Sequence, residues 1–427
     1  MELGMAMSDP MEACAYLMRF GADDLAADLH VNDMYNDLYK HREYSLGSIS
    51  VENIRGLYGE CLHLSASQID KQADCRLSYF LKYGMRARER KIIEIDPAEF
   101  GTYIHHVLEH TAKEVVELGG FHEVTVEQTL TIAEEVSEAY IREHFGQLDT
   151  DRIAYLLQRN KQELLMIVEE LWQELSNSEF SPCAYELAFG ENGALPSIHF
   201  PGDLINAQLS GFVDRVDYWN SGDTSYYRVV DYKTGKKDFD YCDVFNGLGL
   251  QMLLYLFAIE NHSESIIGEF AYPAGVQYFP ARAPYISADG SVTPDEAVSL
   301  REKSWKRRGL LLADSDVLTA MDGDENAKRL PCSRKKDGSL TGDLADGRQF
   351  EMLKSYIYTV LRRMIDDIAS GCVEPNPYTR GNSHNACFFC QYSTICHNES
   401  LVKRRNYKAM TAERFWDEIE KEMNKHG

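Results

Sequence analysis

The chain has 427 residues, of which 44% are hydrophobic and 26% are charged. This is a globular composition, long enough for one large domain or two to three smaller ones, and it excludes disordered and collagen-like classes. The formal net charge of −24 repels nucleic acid and acidic membranes, so any polyanion must bind a local basic patch. With no run of about eighteen apolar residues and no secretory signal at its start, the protein is expected to be soluble and cytoplasmic, with no membrane partner.

Helical periodicity dominates the first part of the chain. Residues 1–60 carry no interpretable motif and are expected to form a helical appendage. Ser65 can cap a helix that runs past Cys75 to Phe80, and Gly101 is predicted to open a helix over 103–118. Two long amphipathic segments follow at about 124–146 and 150–177.

Beyond Phe180 the apolar period changes from 3.6 to 2, which indicates strands. The predicted order is α/β: helices first, then a small mixed sheet, then a helix and a cysteine-rich tail. Strands are expected at 185–189, 207–219, 226–232 and 275–279, helices at 248–260 and 349–370, and a loop over 310–347.

Two acids and a lysine occur at the ends of two predicted strands. Asp214 is two residues from both Phe212 and Val216, so its carboxylate lies on the same face of the strand as these apolar side chains. A carboxylate that faces the core needs a partner or a metal. Asp231 and Lys233 are two apart and share a face of the next strand. If the strands pair as a hairpin, these groups converge and offer oxygen ligands for Mg²⁺ or Mn²⁺ beside an ammonium, the set that phosphodiester hydrolysis requires.

The Asp-x-Lys pattern alone is also compatible with an exposed strand-end ion pair, and Glu89-Arg90-Lys91 matches it too. Additional polar residues favour a site. His105 lies one helical turn from Glu109, where it could reach a metal, although a lone His is also a common structural residue. Gln251 and Tyr255 place two polar groups on an otherwise apolar helix.

Three of the ten cysteines form the pattern C-x2-C-x5-C at Cys387, Cys390 and Cys396. This spacing indicates a metal site whose fourth ligand could be Cys75, His384 or His397. Zinc and an iron–sulfur cluster both accept four sulfurs, so spacing does not choose between them. For DNA, the basic stretches Arg76–Lys91 and Arg301–Arg308 offer candidate paths for the phosphates.

In combination, these residues resemble the RecB-type branch of the PD-(D/E)xK nuclease superfamily. Their order along the chain is similar to that in the nuclease region of the AddB family, the deoxyribonuclease subunits of bacterial helicase-nucleases. The resemblance covers about residues 60–427. It implies a restriction-endonuclease-like core over 61–400, closed by a cluster, and a helical tail over 401–427.

The resemblance also implies roles for the individual residues. Asp214, Asp231 and His105 would be ligands of Mg²⁺ or Mn²⁺, Lys233 the catalytic lysine, and Gln251 and Tyr255 an active-site helix pair. Cys75, Cys387, Cys390 and Cys396 would hold a [4Fe–4S] cluster that joins the start of the domain to its end. The implied partners are DNA and an AddA-like helicase-nuclease subunit, and the implied reaction is exonucleolytic, with 5′→3′ polarity, in double-strand break repair and recombination.

AddB proteins carry a helicase-like region ahead of the nuclease, whereas only about sixty residues precede it here, so we expect a truncated or split gene product. No G-x4-G-K-[ST] motif occurs, so the chain is not expected to hydrolyse ATP. Two other functions fit the same residues. One is a non-catalytic DNA-binding scaffold stapled by iron–sulfur or zinc, and the other is a stand-alone four-cysteine exonuclease.

Overall fold

The computed structural model describes residues 48–88, 97–145, 151–283, 293–324, 328–381, 384–396 and 404–426. Most of the predicted appendage over 1–60 lies outside these ranges. Its last part contains helix α1 (Val51–Tyr58). Ser50 caps this helix, because its hydroxyl accepts a hydrogen bond from the Asn53 amide. No helix in these ranges combines the length and apolar composition needed to cross a membrane.

The strands are numbered in chain order and most belong to one central sheet. That sheet contains β1 (Cys61–Ser65), β2 (Ser181–Phe189), β3 (Ile198–Phe200), β4 (Asn206–Asn220), β5 (Ser225–Lys233), β6 (Ala271–Pro280), β7 (Arg308–Leu312) and β10 (Leu344–Ala345). The others are β8 (Cys332–Arg334) and β9 (Leu340–Gly342), which form a hairpin, and β11 (Tyr378–Arg380), β12 (His384–Asn385) and β13 (Arg405–Asn406), which form a small sheet.

The central sheet is mixed, as the sequence predicted. Its strand order is β1-β4-β5-β6-β7-β10, and β2 and β3 also pair with the long strand β4. The β1–β4, β5–β6 and β7–β10 pairs are parallel, and the other pairs are antiparallel. Strand β4 can hold four partners because its first half pairs with β1 and β3, and its second half pairs with β2 and β5.

Helices cover both faces of this sheet. They are α2 (Ala66–Asp74), α3 (Arg76–Tyr79, continued by a π-helical turn at Phe80–Gly84), α4 (Pro97–Glu117), α5 (Val126–Phe145), α6 (Asp151–Asn177), α7 (Tyr241–Phe245), α8 (Gln251–Glu260), α9 (Ser263–Ile267), α10 (Pro294–Ser304), α11 (Ser315–Asp322), α12 (Gly347–Ala369), α13 (Ser393–Cys396) and α14 (Ala412–His426).

The two faces of the sheet are buried in different ways. On one face, α4, α5 and α6 pack over Val230, Tyr232 and Phe279. On the other, the apolar helix α8, with Leu254 wholly buried, lies between the sheet and α12. Full burial of one such leucine contributes roughly 1.5–3 kcal/mol, so the two layers hold the sheet, and the strand ends, in one place.

Most of the predicted helices and strands are present, with different bounds. The helix predicted to run from Ser65 past Cys75 is interrupted at Cys75, whose backbone is extended (φ −168°, ψ 125°), so α2 and α3 are separate. Helix α4 begins at Pro97 and so includes Gly101, which was predicted to open it. The predicted loop over 310–347 was wrong, because the segment contains β7, α11, the β8–β9 hairpin and β10. These elements are two to eight residues long, too short for a periodic pattern, and pairing with β6 and packing against Ala274 and Leu330 stabilise them.

Candidate active site

The predicted hairpin of β4 and β5 is present and sets the position of the acids. The strands pair antiparallel, with Arg215 opposite Val230. In the turn between them, the Asn220 side chain accepts a hydrogen bond of 2.7 Å from the Gly222 amide, and Gly222 has a φ of 99°, which glycine adopts without strain. This local turn fixes the register and carries the two acidic strands to the same end of the sheet.

Asp214, Asp231 and Lys233 meet at that end. The Asp214 Oδ2 atom accepts a hydrogen bond of 2.7 Å from the backbone amide of Tyr232. The Lys233 Nζ atom lies 2.6 Å from Asp231 Oδ2, and the Asp231 side chain is only 5% exposed. The two acids therefore flank one short stretch of β5, with the ammonium paired to the second acid.

His105 joins this group from helix α4. Its Nε2 atom lies 2.8 Å from the carbonyl oxygen of Tyr232, and its Nδ1 atom lies 3.5 Å from Asp214 Oδ2. A carbonyl oxygen can only accept, so Nε2 carries the hydrogen, and in the neutral ring Nδ1 offers a lone pair. The Nδ1 lone pair of His105 then points towards the Asp214 carboxylate, and a cation between the two could be bound by both.

Glu186 is a fourth polar residue at the site, and the sequence reasoning missed it. The ligand atoms of His105, Glu186 and Asp214 all lie within 4.8 Å of one another. Glu186 sits on β2 between two register pairs that bracket Asp214, and its φ of 44° is one that residues with a side chain seldom adopt. The available signal was the same as for Asp214: an acid inside an apolar strand, Tyr185-Glu186-Leu187.

The carboxyl groups at this site are held in an unfavourable environment. Burial, followed by the nearby charge of Asp231, raises the pKa of Asp214 to about 7. Burial, followed by the charges of Asp214 and Glu109, raises the pKa of Glu186 to about 7. Burial also raises the pKa of Asp231, although Lys233 opposes the shift. A bound cation would relieve the repulsion between these acids, so the electrostatics favour a metal.

Gln251 and Tyr255 lie beside the acids, on the first two turns of α8. The Tyr255 hydroxyl contacts the Gln251 side chain and the Phe212 backbone, and burial, with added repulsion from Asp231 and Asp214, raises its pKa. A Cβ at Gly211 would lie 1.8 Å from the Tyr255 hydroxyl oxygen. Only glycine at position 211 lets the phenol reach the strand that carries Asp214.

A charged network is buried on the opposite face of the same strands. The Glu174 carboxylate on α6 receives hydrogen bonds from Arg215, Arg228 and Arg307, at 2.5, 3.2 and 2.7 Å. Burial alone would raise the pKa of Glu174, but these three guanidinium groups hold it well below its usual range. Arg215 also donates to the Tyr232 hydroxyl at 3.2 Å, so the network holds the residue whose backbone orients Asp214 and His105.

Two of the cations predicted to contact DNA are occupied elsewhere. Arg307, from the stretch 301–308, belongs to this network and is 1% exposed. Arg76 pairs with Asp367, with 2.5 Å between Nη2 and Oδ2. Neither can contact DNA phosphates without breaking a structural ion pair. Glu89, Arg90 and Lys91 lie outside the described residues.

The four predicted cysteine ligands line one cavity of about 330 Å³, formed where the start and end of the domain meet. Burial, followed by the nearby Cys75, raises the pKa of Cys387. None of these four cysteines is in a disulfide. The cavity is therefore lined by four cysteines, a donor set that fits either a cluster or a zinc ion. Of the alternative fourth ligands, His384 is not among the cavity-lining residues, and His397 is outside the described ranges.

Other contacts join the same two parts of the chain. The Arg76 amide donates to the Asn376 side chain at 2.9 Å, the Tyr392 hydroxyl bonds the Ala87 carbonyl at 2.9 Å, and Arg405 donates to the carbonyl of Ala73. Segments three hundred or more residues apart in sequence are thus held together near the cysteine cavity.

A family model of the PD-(D/E)XK nuclease superfamily matches residues 63–397. The chain belongs to this superfamily, and the mixed sheet flanked by helices agrees with that assignment.

The chain is also similar to curated AddB proteins, which are named as a subunit of an ATP-dependent helicase/deoxyribonuclease. It is 32% identical to the protein of Clostridium novyi over 391 residues, which are 88% of this chain and 34% of the relative. It is 32% identical to the protein of a Thermoanaerobacter species over 389 residues (88% and 33%), and 31% identical to that of Acetivibrio thermocellus over 372 residues (85% and 32%). The resemblance to the AddB family is confirmed, and the chain spans about a third of the length of these relatives.

Proposed function

We propose that this chain is a metal-dependent deoxyribonuclease module that hydrolyses phosphodiester bonds of DNA. The observation that carries the proposal is the convergence of Asp214, Asp231 and Lys233 at one end of the β4–β5 hairpin, beside His105. Its membership of the PD-(D/E)XK nuclease superfamily supports the same reaction class.

The residues that would hold Mg²⁺ or Mn²⁺ are Asp214, Asp231 and His105. Glu186 adjoins two of them, since its ligand atom lies within 4.8 Å of those of His105 and Asp214. A divalent ion at this place would neutralise the scissile phosphate and acidify a bound water. Lys233, a third of whose side chain is exposed, can orient that water or receive its proton. Gln251 and Tyr255 can donate hydrogen bonds to the phosphate oxygens as charge develops on them.

We propose further that the module works with an AddA-like helicase-nuclease subunit on DNA ends in double-strand break repair and recombination. Support comes from the relatives whose names describe a subunit of a helicase/deoxyribonuclease, and which extend well beyond this chain. By the same resemblance we assign exonucleolytic cleavage with 5′→3′ polarity, in the cytoplasm.

For the cysteine cavity we propose a [4Fe–4S] cluster on Cys75, Cys387, Cys390 and Cys396. Four cysteines that line one cavity fit it. A zinc ion is the competing occupant, but structural zinc sites usually draw their ligands from two nearby pairs, and Cys75 is far from the other three in sequence. The four residues would close a loop of more than three hundred residues, which reduces the entropy of the unfolded chain.

The proposed function is tested by incubating the purified chain with end-labelled linear DNA in Mg²⁺ or Mn²⁺, with EDTA as the control. We expect degradation from the ends only when the cation is present, and no dependence on ATP. Labels at the 5′ or 3′ terminus report the polarity. Intact DNA under all these conditions, with a folded chain, would contradict the proposal.

A further inference from the structure

A face next to the cysteine cavity combines exposed aromatic rings with basic side chains. We call it the Phe–Arg face and define it by Lys82, Arg86, Arg88, Phe388, Phe389 and Arg404. The segments that form it, 76–88, 384–396 and 404–408, contain no Asp or Glu, although the whole chain carries a net charge of −24. It is therefore a local positive region on a strongly negative protein.

Direct contacts bring these segments together. The Tyr392 hydroxyl bonds the carbonyl of Ala87 at 2.9 Å, and Ala87 stands between Arg86 and Arg88. Arg404 and Phe388 line the same cavity as Leu77. The cations of one segment and the aromatic rings of another are thus neighbours in the fold.

Two aromatic rings on this face are exposed to an unusual degree. Phe389 is 92% exposed, the highest value for a large hydrophobic side chain in the described part of the chain, and Phe388 is 69% exposed. Their ring centroids are 4.8 Å apart, with the planes at 71°. Ile395, on the same segment of the chain, is 58% exposed. Keeping such groups in water is unfavourable, and clustered exposure of this kind marks a binding surface.

The cations of the face are available for a ligand. Lys82, Arg86, Arg88 and Arg404 are exposed, and none forms an ion pair with a carboxylate among the residues whose positions are described. By contrast, the neighbouring Arg405 is used for structure, donating to the carbonyl of Asn376 at 2.7 Å. Arg86 is held at a φ of 54°, which costs free energy in a residue with a side chain and presents it on a tight turn.

We propose that the Phe–Arg face binds single-stranded DNA, with the bases stacked on Phe388 and Phe389 and the phosphates on the surrounding cations. This inference rests on the proposed function, for which it supplies a binding surface outside the active site. Exposed rings stack on any unpaired base, whereas duplex bases are already stacked on each other. Two rings and an isoleucine fall far short of the roughly 800 Å² per partner that a stable protein interface buries, so charge and size both favour a nucleic-acid strand.

The stacking part is tested by replacing Phe389, which is so exposed that its truncation opens no cavity. Binding of the full chain to a labelled 20-nucleotide oligothymidine is measured by fluorescence anisotropy in EDTA, so that no hydrolysis occurs. F389A should weaken binding about fivefold to a hundredfold. It should leave unchanged the affinity for an abasic strand of the same length, and F389W should restore binding. The matched control is F270A, an aromatic 49% exposed that precedes β6 at the sheet end remote from Lys233.

The charge part is tested by reversing two cations. R86E/R88E should weaken binding of both the normal and the abasic strand, and should lower the slope of log affinity against log salt by about 1.4 or more. K335E/K336E, the same change at two exposed lysines on the β8–β9 turn, should have a smaller effect on the slope.

The proposal is overturned if F389A binds oligothymidine as tightly as the unaltered chain. A thermal unfolding curve like that of the unaltered chain shows that the variant is folded. The rings would then be left for a protein partner. It is also overturned if F389A loses the abasic strand equally, because base stacking would not be involved. The nuclease proposal fails separately: a chain that binds oligothymidine through Phe389 but leaves DNA intact in Mg²⁺ would keep the surface and lose the activity.

Discussion

The Asp214 carboxylate accepts its hydrogen bond from the amide of Tyr232, the residue between Asp231 and Lys233. The carbonyl of the same Tyr232 holds His105 at 2.8 Å. One residue of β5 therefore orients an acid from the adjacent strand and a histidine from a helix. Its side chain lies on the other face, where Arg215 binds the hydroxyl. The position of the candidate metal ligands thus depends on a backbone that the buried charged network also supports.

Removing the lysine or its partner should abolish cleavage. K233A or D231A should lower the rate of DNA hydrolysis in Mg²⁺ roughly a thousandfold or more, because each loses several kcal/mol of transition-state stabilisation. The matched control is K236A or D238A, an exposed ion pair with 3.5 Å between Nζ and Oδ2, a few residues further along. Unchanged cleavage by K233A and D231A would favour a non-catalytic scaffold.

Glu186 should contribute to cation binding. E186Q should raise the Mg²⁺ concentration needed for half-maximal cleavage. The substitution removes a negative charge from the group of His105, Glu186 and Asp214, whose ligand atoms lie within 4.8 Å of one another. Protons compete for the same acids, and the pKa values of Asp214 and Glu186 are raised to about 7. The apparent Mg²⁺ affinity of the unaltered chain should therefore fall as pH drops below about 7, and this pH dependence should be weaker in E186Q. Equal titration curves for both proteins would remove Glu186 from the site.

Neutralising Asp214 should stabilise the metal-free fold at pH 8. Burial, with the charge of Asp231, raises the folded pKa to about 7, so the folded state binds a proton between about pH 4 and 7 where the unfolded chain does not. The free energy of unfolding therefore increases as pH falls through 7, where Asp214 takes up its proton. At pH 8 Asp214 is ionised, and its charge destabilises the folded state in full. D214N should raise the free energy of urea unfolding in EDTA at pH 8 by about 1–4 kcal/mol.

The control for that measurement is D223N, in the exposed β4–β5 turn, which should change little. Added Mg²⁺ should stabilise the unaltered chain and not D214N, since only binding to the folded state shifts the equilibrium. A loss of stability in D214N at pH 8 would mean that the bond to Tyr232 outweighs the repulsion.

Glu174 should be essential for the fold. Its carboxylate pairs with Arg215, Arg228 and Arg307 in the interior. Asp217 and Glu170 supply the other negative charges of this network, so E174Q leaves the buried guanidinium groups with too little negative charge. Breaking a buried pair in this way costs about 3–5 kcal/mol, measurable by chemical denaturation. E169Q, an exposed glutamate on the same helix, is the control and should be nearly neutral. Equal stability of the two variants would show that the network contributes nothing net.

Aerobically purified protein should be brown, with broad absorption near roughly 400 nm and about four irons per chain. Replacement of Cys75 by alanine should remove the colour and lower the unfolding temperature together, because the lost thiolate opens the cluster and frees both ends of the domain. Replacement of Cys61, which is not among the residues lining the cavity, should change neither. Colourless protein carrying one zinc and no iron would refute the cluster, and the nuclease proposal would survive.

The sequence by itself predicted the α/β class, the β4–β5 hairpin and the residues that meet at its end. These depend on short-range rules: a strand places residues two apart on one face, and an Asn-Ser-Gly-Asp turn brings two adjacent strands back together. Asp214, Asp231 and Lys233 lie within twenty residues of each other, and C-x2-C-x5-C lies within ten. For residues this close in the chain, their spacing in the sequence largely determines their relative positions in the fold.

Only the tertiary structure decided which distant residues complete these groups. Glu186 reaches Asp214 because β2 pairs with β4, and Cys75 meets Cys387 because contacts such as Tyr392 to Ala87 join segments far apart in the chain. The same holds for Arg307. It lies in a basic stretch that the sequence suggests is exposed, but its guanidinium is buried and donates a hydrogen bond to Glu174. Local patterns report the period and charge of a segment, but the partner of a buried charge or a strand edge is chosen by packing across the whole fold.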